Sequence, residues 1–90
     1  MGAIISYNNY DHNHEQPIAV IASFNNGGAI RPLYVRLGEQ PRKVISSRIR
    51  NNDRKILEFD CIVLSDNRAV NVKITYYVDH KIWTVPDDVK

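Results

Sequence analysis

Residues 11–15 read Asp-His-Asn-His-Glu and form the only cluster of metal-type ligands in the sequence. His12 and His14 are two residues apart, so in an extended chain both imidazoles could reach one transition metal, with a carboxylate as third ligand. The surrounding segment is polar and Asn-rich, and it offers nothing that would preorganise such a site. A flexible tail is therefore favoured over a metal centre, and no metal or other cofactor is expected.

Cys61 is the only cysteine and the only candidate thiol nucleophile. A thiol nucleophile needs a histidine base within hydrogen-bonding reach. Cys61 alternates with Phe59 and Val63, which gives it an inward phase, whereas His80 falls in a turn. A reduced, buried thiol is the favoured interpretation. The sequence also lacks a Gly-rich phosphate loop, a Gly-x-Ser-x-Gly elbow and triad spacing, so we expect no enzyme and no small-molecule substrate.

Glu58 and Asp60 form a carboxylate pair with the spacing that places both on one face of a strand. Paired carboxylates can bind metals or perform acid–base catalysis. The predicted strand registers give a structural alternative, because they place Arg48 opposite Glu58 and Lys73 opposite Asp60. Opposite charges that face each other across strands stabilise a sheet by about 0.2–1 kcal/mol per pair. Ion pairing within the sheet is therefore favoured over chemistry.

The positive charge is concentrated in the middle of the chain. Residues 31–55 hold eight basic residues against two acidic ones, a net of +6, whereas the rest of the chain carries −4. Basic residues interleaved with exposed aromatics are typical of a nucleic-acid groove or of an acidic partner's binding surface. The candidate nucleic-acid or partner surface comprises Tyr34, Arg36, Arg42, Lys43, Arg50, Arg54, Lys55 and Tyr77. The alternative is a solvated surface, since no RNA-recognition or zinc-finger motif is present.

Several branched aliphatic residues have the outward phase of the predicted strands. These residues are Ile21, Ile30, Val44, Ile62, Leu64 and Ile82. Such a group is typical of a contact patch for a protein partner or for a second copy of the chain. The alternative is a sharply bent sheet that covers part of its own outer face.

The elements that must position these residues are β-strands. Apolar runs alternate with short polar turns about every ten residues, a rhythm that predicts an all-β meander. Six antiparallel strands are expected near 18–25, 29–37, 43–50, 56–64, 69–78 and 81–85. A sheet with one apolar face curls onto itself, which predicts a small SH3-like barrel or half-barrel. The expected organisation is a flexible tail over 1–16, one barrel domain over 17–86 and a C-terminal tail over 87–90.

Turn chemistry and apolar pattern together predict the strand registers. A type I′ loop at Asn26-Gly27 would place Phe24 opposite Ala29, Val20 opposite Leu33 and Ile18 opposite Val35. A loop at Asp66-Asn67 would pair Val63 with Val70, Cys61 with Val72, Phe59 with Ile74 and Leu57 with Tyr76. A loop at Asp79-His80 would pair Tyr76 with Trp83 and Ile74 with Val85. Three-residue loops centred on Gln40 and Asp53 would pair Val35 with Ile45, Leu33 with Ser47, Ile49 with Leu57 and Ile45 with Cys61.

These registers define an expected core and one expected irregularity. The inward set is Ile18, Val20, Ala22, Phe24, Leu33, Val35, Leu37, Ile45, Ile49, Leu57, Phe59, Cys61, Val63, Val70, Val72, Ile74, Tyr76, Trp83 and Val85. Pro32 has no N–H to donate, so a bulge or an unpaired edge is expected beside it.

The stretch from Arg31-Pro32-Leu33-Tyr34-Val35-Arg36 to Trp83-Thr84-Val85-Pro86 resembles small bacterial all-β proteins of the Firmicutes type, a group without an established activity. The resemblance implies a cytoplasmic bacterial protein and assigns no site residues. The sequence does not define one function. It favours a non-catalytic binding module for a protein partner or for self-association, with weak, sequence-tolerant nucleic-acid binding as the alternative, and no membrane association.

Overall fold

A computed structural model describes residues 15–89 of the chain, and these residues form one antiparallel sheet without any helix. The predicted tail residues 1–14 lie outside the described part. The strands are β1 (Glu15–Ile18), β2 (Val20–Phe24), β3 (Ile30–Leu37), β4 (Gln40–Asn52), β5 (Ile56–Ser65), β6 (Arg68–Tyr77) and β7 (Ile82–Pro86). Their spatial order is β1-β7-β6-β5-β4-β3-β2. The predicted all-β class is confirmed, and the sheet curls into a small half-barrel.

The predicted first strand is divided in two at Ala19. Its first half, β1, pairs with β7, and its second half, β2, pairs with β3. The backbone carbonyl of Ala19 accepts a hydrogen bond from the Arg36 amide at 3.0 Å. The two edge strands are therefore joined through one residue, which explains why seven strands appear where six were expected.

The ordered sheet extends beyond the predicted bounds of 17–86. Glu15 and Gln16 belong to β1, and Val89 packs against the core. The Gln16 side-chain amide donates to the Val89 backbone carbonyl at 2.8 Å. Gln16 and Val89 are thus part of the folded unit rather than of two tails.

The β5–β6 hairpin has the predicted turn and the predicted register. Asp66 and Asn67 both have positive φ, at 52° and 65°, as a two-residue type I′ loop requires. The four predicted pairs are confirmed, from Val63 with Val70 to Leu57 with Tyr76. Tyr76 also lies opposite Trp83 as predicted, although the β6–β7 loop is longer than expected, running from Val78 to Lys81.

The β2–β3 turn differs from the predicted type I′ loop at Asn26-Gly27. The Asn25 amide donates to the Ala29 carbonyl, and the residue with positive φ is Gly28, at 88°. The Asn25 side-chain oxygen accepts from the amides of Gly27 and Ala29 at 2.8 and 2.9 Å, which stabilises this three-residue loop. The longer loop places Phe24 opposite Ile30 instead of opposite Ala29.

The irregularity expected beside Pro32 is confirmed. Ala22 pairs with Pro32 and Ile21 pairs with Tyr34, so Leu33 is the extra residue of a bulge in β3. Beyond the bulge Val20 lies opposite Val35, so the predicted pairing of Val20 with Leu33 and of Ile18 with Val35 is wrong.

The β3–β4 register is also wrong in the prediction, because the loop has two residues, Gly38 and Glu39, instead of three. Gly38 has a φ of 67°, a left-handed conformation that glycine adopts without a steric penalty. Leu37 consequently pairs with Gln40, and Val35 with Arg42 instead of Ile45. The observed register differs from the predicted one by an odd number of residues. The side chains of β4 beside β3 that were predicted to point inward therefore point outward, and the reverse. Val44 is buried and Ile45 is 52% exposed, the reverse of the prediction.

Two bulges in β4 change its pairing with β5. The register shifts between Val44 and Ser46 and again between Ile49 and Asn51, so Ile49 lies opposite Phe59 instead of Leu57. Ser47, rather than Ile45, pairs with Cys61.

The core lies on the concave face of β3 to β7. Its buried apolar residues are Val35, Leu37, Val44, Leu57, Phe59, Cys61, Val63, Val72, Ile74, Trp83 and Val85. Four members of the predicted inward set are instead exposed, namely Phe24, Ile45, Ile49 and Val70. Among the predicted outward aliphatics, Ile21, Ile62 and Leu64 are exposed, and Ile30 and Ile82 are half-buried.

Candidate functional site: the cleft between β3 and β4

The pairing between β3 and β4 stops long before β4 ends. The last pair is Tyr34 with Lys43, and within residues 15–89 the stretch Val44–Asn52 pairs with β5 alone. On the other side, Ile30–Pro32 pairs with β2 and has no partner in β4. The sheet therefore divides here, and two strand edges face one another across an opening.

A cleft of about 500 Å³ occupies this opening. The β2–β3 hairpin forms one wall, and β4 with β5 forms the other. The lining residues are Ser23, Asn25, Gly28, Ala29, Ile30 and Arg31 on the hairpin side, and Ser47, Ile49, Asn52, Leu57 and Phe59 on the other side.

The floor of the cleft is apolar and continuous with the core. Phe59 and Leu57 are buried at 2% and 9% exposure. Ile49 pairs with Phe59 and points to the same face, yet it remains 44% exposed because no strand covers it from the β3 side. Phe24 is 61% exposed and lies opposite Ile30, which lines the cleft. The cleft thus presents uncovered apolar surface beside an unpaired strand edge.

Three of the four strands that form the cleft, β2, β3 and β4, carry only positive charge, whereas β5 carries Glu58 and Asp60. The strands β2, β3 and β4 contain six basic residues and no acidic residue, and Arg31 is the single charged residue of the lining. Arg42 is paired with Asp66 at 3.2 Å, and Arg50 with Asp60 at 3.6 Å. The other four basic residues have no described carboxylate within 4.0 Å. They are Arg31, Arg36, Lys43 and Arg48.

Three members of the predicted surface lie together on the outer face of β3 and β4. Tyr34 is 43% exposed and lies opposite Lys43, and Arg36 follows two residues after Tyr34 on the same face. Ile21 pairs with Tyr34 from β2 and is 62% exposed. This outer row combines an aliphatic side chain, an aromatic ring and two cations.

The other predicted surface residues are not part of that row. Arg42 has the inward phase, opposite Val35, and its side chain is only 20% exposed. Arg50 is the extra residue of a bulge and is paired with Asp60. Lys55 lies 3.8 Å from Asp79 across the sheet end, and Arg54 is exposed in the β4–β5 turn.

The predicted exposure of Tyr77 is wrong. Tyr77 is 6% exposed, and its hydroxyl lies 2.9 Å from each carboxylate oxygen of Glu15, to which it donates. The Thr84 hydroxyl donates to the same carboxylate at 2.5 Å. Alternation alone predicted an outward Tyr77, but the contact with β1 covers it, so this tyrosine is a structural residue.

The carboxylate pair takes part in ion pairs, with partners that differ from the prediction. Glu58 lies 3.1 Å from Lys73, and Asp60 pairs with Arg50. Lys73 is directly opposite Asp60 as predicted, but its ammonium group reaches the neighbouring carboxylate. Arg48 lies opposite Asp60 rather than Glu58 because of the β4 bulges.

The thiol of Cys61 is not poised for nucleophilic chemistry. Burial, together with the nearby negative charge of Asp60, raises its pKa to about 12. The thiolate is the reactive form, so the neutral thiol that prevails near pH 7 is a poor nucleophile.

Residues 15–89 contain neither a cluster of metal-type ligands nor a membrane-spanning helix. No group of three or more His, Cys, Asp or Glu side chains converges there. His12 and His14 lie outside the described residues. None of the described segments is a helix long and apolar enough to cross a membrane.

Sequence reasoning missed the cleft, although two signals of it were present. Pro32 marks the point where β3 departs from regular pairing, because proline provides no N–H for a ladder. Ser46 and Ser47 interrupt the apolar pattern of β4 at the stretch that lacks a second neighbour. The sequence could not show that these two irregularities face each other.

In comparisons with known proteins, no family model matches the chain, and neither a curated protein nor a solved structure is significantly similar to it.

Proposed function

We propose that this protein is a non-catalytic binding module that takes up an extended polypeptide segment in the cleft between β3 and β4. The observation that carries the proposal is the edge of β4. Over nine residues, Val44–Asn52, this strand has a neighbour on one side only among residues 15–89. An unpaired strand edge is a template for an added strand, which is a common mode of peptide recognition.

The cleft supplies both parts of such recognition. The main-chain groups of β4 provide hydrogen bonds that do not depend on the sequence of the bound segment. The side chains of Ile49 and Ile30, which line the cleft, provide apolar contacts for alternate residues of that segment. Affinity therefore comes mainly from the backbone, and selectivity comes from the side chains beside it.

A second copy of the chain is a less suitable occupant than a different polypeptide. Antiparallel pairing of β4 with another β4 would bring the basic residues of this strand, among them Arg48 and Arg50, close to their own copies. Like charges placed opposite each other across strands are destabilising. Sedimentation of the free protein tests this point, and a concentration-dependent dimer that Ile49→Lys abolishes would assign the cleft to self-association.

Ile49→Lys is expected to abolish peptide binding. A suitable probe is a fluorescent hexapeptide of alternating valine and threonine, which is neutral and extended, with binding followed by anisotropy. A lysine at position 49 would have to bury its charge against the apolar floor, so affinity should fall at least about tenfold.

Ile21→Lys is the matched control, because Ile21 is also an exposed isoleucine in a strand but lies on the outer face. The control should bind the peptide like the original protein. Equal binding by the Ile49 variant and the Ile21 variant would contradict the cleft as the site.

A second candidate function is weak nucleic-acid binding by the outer row of β3 and β4. The specific observation is the exposed ring of Tyr34 beside Lys43 and Arg36, two cations that have no carboxylate partner among the described residues. Such a ring can stack on a base while the cations contact phosphates.

If this second candidate is right, gel shift with a single-stranded oligonucleotide should detect binding at 50 mM salt. For three phosphate contacts, affinity should fall by about tenfold or more at 200 mM salt. Replacing Arg36 and Lys43 together by Gln should weaken binding, whereas the pair Arg68→Gln and Lys81→Gln, also exposed, should not. Absence of any shift at low salt would eliminate this candidate.

We also propose that the half-barrel is SH3-like and that the protein is bacterial and cytoplasmic. The antiparallel meander and its tight hairpins support an SH3-like assignment. The resemblance of residues 31–36 and 83–86 to small Firmicutes-type proteins supports a bacterial cytoplasmic protein. The single buried cysteine is consistent with a reducing compartment.

A further inference from the structure

We infer that the segment bound in the cleft is an acidic strand in which apolar residues alternate with Asp or Glu. This inference rests on the proposed function and specifies the chemistry of the partner. It follows from the alternation of side chains in a strand and from the charges on the two sides of the cleft.

A strand added between β3 and β4 would direct successive side chains to opposite faces. One set would continue the concave face and contact the apolar floor at Ile49 and Phe59. The other set would continue the outer face. There it would lie between Arg31 on one side and Arg48 on the other.

The register of the two walls supports this placement of the arginines. Arg31 has the phase opposite to Ile30 and pairs with Ser23, and it is exposed. Arg48 pairs with Asp60 in the row that continues to Lys73 on the outer face. Both guanidinium groups lack a carboxylate within 4.0 Å among residues 15–89. They are available to a bound acidic side chain.

The length of the bound segment follows from the bulges. The two register shifts in β4 bracket a regular stretch, Ser46–Ile49, where ladder pairing with an added strand is undistorted. Four regular positions correspond to a bound segment of about five or six residues. Such a segment carries two or three outward side chains, enough to face both arginines.

The charges beside the cleft also disfavour the binding of basic segments. A basic segment would place its cations between Arg31 and Arg48 with no compensating acid on β2, β3 or β4. Like-charge juxtaposition costs affinity and slows association, whereas opposite charge accelerates it. The charge pattern therefore favours acidic over basic extended segments.

Anisotropy with four labelled hexapeptides tests the inference. The first alternates Val and Glu, the second Val and Thr, the third Val and Lys, and the fourth has three Glu followed by three Val. Two cross-strand charge pairs make the Val–Glu peptide bind about two- to thirty-fold more tightly than the Val–Thr peptide. The block peptide has the same charge without the alternation and should bind more weakly than the alternating acidic one.

Two variants identify the side chains that cause the preference for the acidic peptide. Arg31→Gln and Arg48→Gln should each reduce the advantage of the Val–Glu peptide over the Val–Thr peptide, and leave Val–Thr binding unchanged. Arg68→Gln, an exposed arginine on another hairpin, is the charge-matched control and should preserve the advantage. Retention of the native melting temperature in all three variants establishes that each is folded.

The possible outcomes distinguish failure of the acidic specificity from failure of the cleft as a binding site for extended segments. Equal binding of the Val–Glu and Val–Thr peptides would overturn the acidic specificity and leave the binding of extended segments intact. Failure of every peptide to bind would overturn both. If an oligonucleotide displaces the acidic peptide and binds the Ile49→Lys variant with unchanged affinity, the basic surface belongs to nucleic-acid binding and the inference fails.

Discussion

Replacing Trp83 by Ala should lower the free energy of unfolding by about 3–5 kcal/mol. Trp83 is 9% exposed, and its ring centroid lies 4.6 Å from that of Tyr76 and 5.9 Å from that of Phe59. It is opposite Tyr76 in β6 and opposite Ile18 in β1, so it connects three strands. Domains of this size have a total stability of about 5–13 kcal/mol, so this single substitution should remove a large fraction of it.

Urea denaturation followed by far-UV circular dichroism measures this loss without relying on tryptophan fluorescence. Phe24→Ala is the control, because Phe24 is an aromatic residue in a strand with 61% exposure. Its loss should cost less than about 1 kcal/mol, since little buried area is removed. A Trp83 variant as stable as the Phe24 variant would mean that the aromatic cluster does not hold the sheet together.

Replacing Glu15 by Ala should lower the free energy of unfolding by about 3 kcal/mol, an effect that the sequence pattern does not predict. The carboxylate accepts hydrogen bonds from the hydroxyls of Tyr77 and Thr84, which are 6% and 0% exposed. Hydrogen bonds to a charged group contribute about 1.5–3 kcal/mol each, and their loss leaves two buried hydroxyls without this acceptor. The contact also ties β1 to β6 and β7.

Glu15→Gln separates the role of the acceptor from that of the side-chain volume. Glutamine keeps one carbonyl oxygen in the same place, so thermal and urea denaturation should show about half the loss or less. Tyr77→Phe and Thr84→Val, each made alone, should destabilise less than Glu15→Ala, because each removes one of the two donors. Equal stability of Glu15→Ala and the original protein would contradict a structural role for this cluster.

The parts of the fold that followed from sequence are those where turn chemistry allows one answer. Asp66-Asn67 is a two-residue turn between two long alternating runs, and a register shifted by one residue would place the apolar residues of the two strands on opposite faces. The β5–β6 ladder was therefore predicted pair by pair. The position of Trp83 opposite Tyr76 followed in the same way.

The registers around β4 could not be predicted because two loop choices satisfied the same apolar pattern. Gly38 permits a two-residue loop that shifts β4 by an odd number of residues, and the bulge beside Ile45 then restores the inward phase. A bulge leaves little trace in composition. The wrong register exchanged the predicted faces of Val44 and Ile45. It also left Arg42 on the predicted surface, whereas in the structure Arg42 has the inward phase.

The candidate site depends on contacts that are distant in the chain. The basic character of residues 31–55 was evident, and so was the outward phase of Tyr34 and Arg36. The cleft itself arises because β3 leaves β4 after the pair Tyr34–Lys43, and this departure is a property of the assembled sheet.

Hydrogen exchange of the β4 amides, followed by NMR with and without the Val–Glu hexapeptide, tests the central claim most directly. Strand addition predicts that peptide binding protects alternate amides within Ser46–Ile49, those that face away from β5, and leaves exchange in β6 unchanged. Saturating peptide that leaves every amide of β4 exchanging at its original rate would contradict the account.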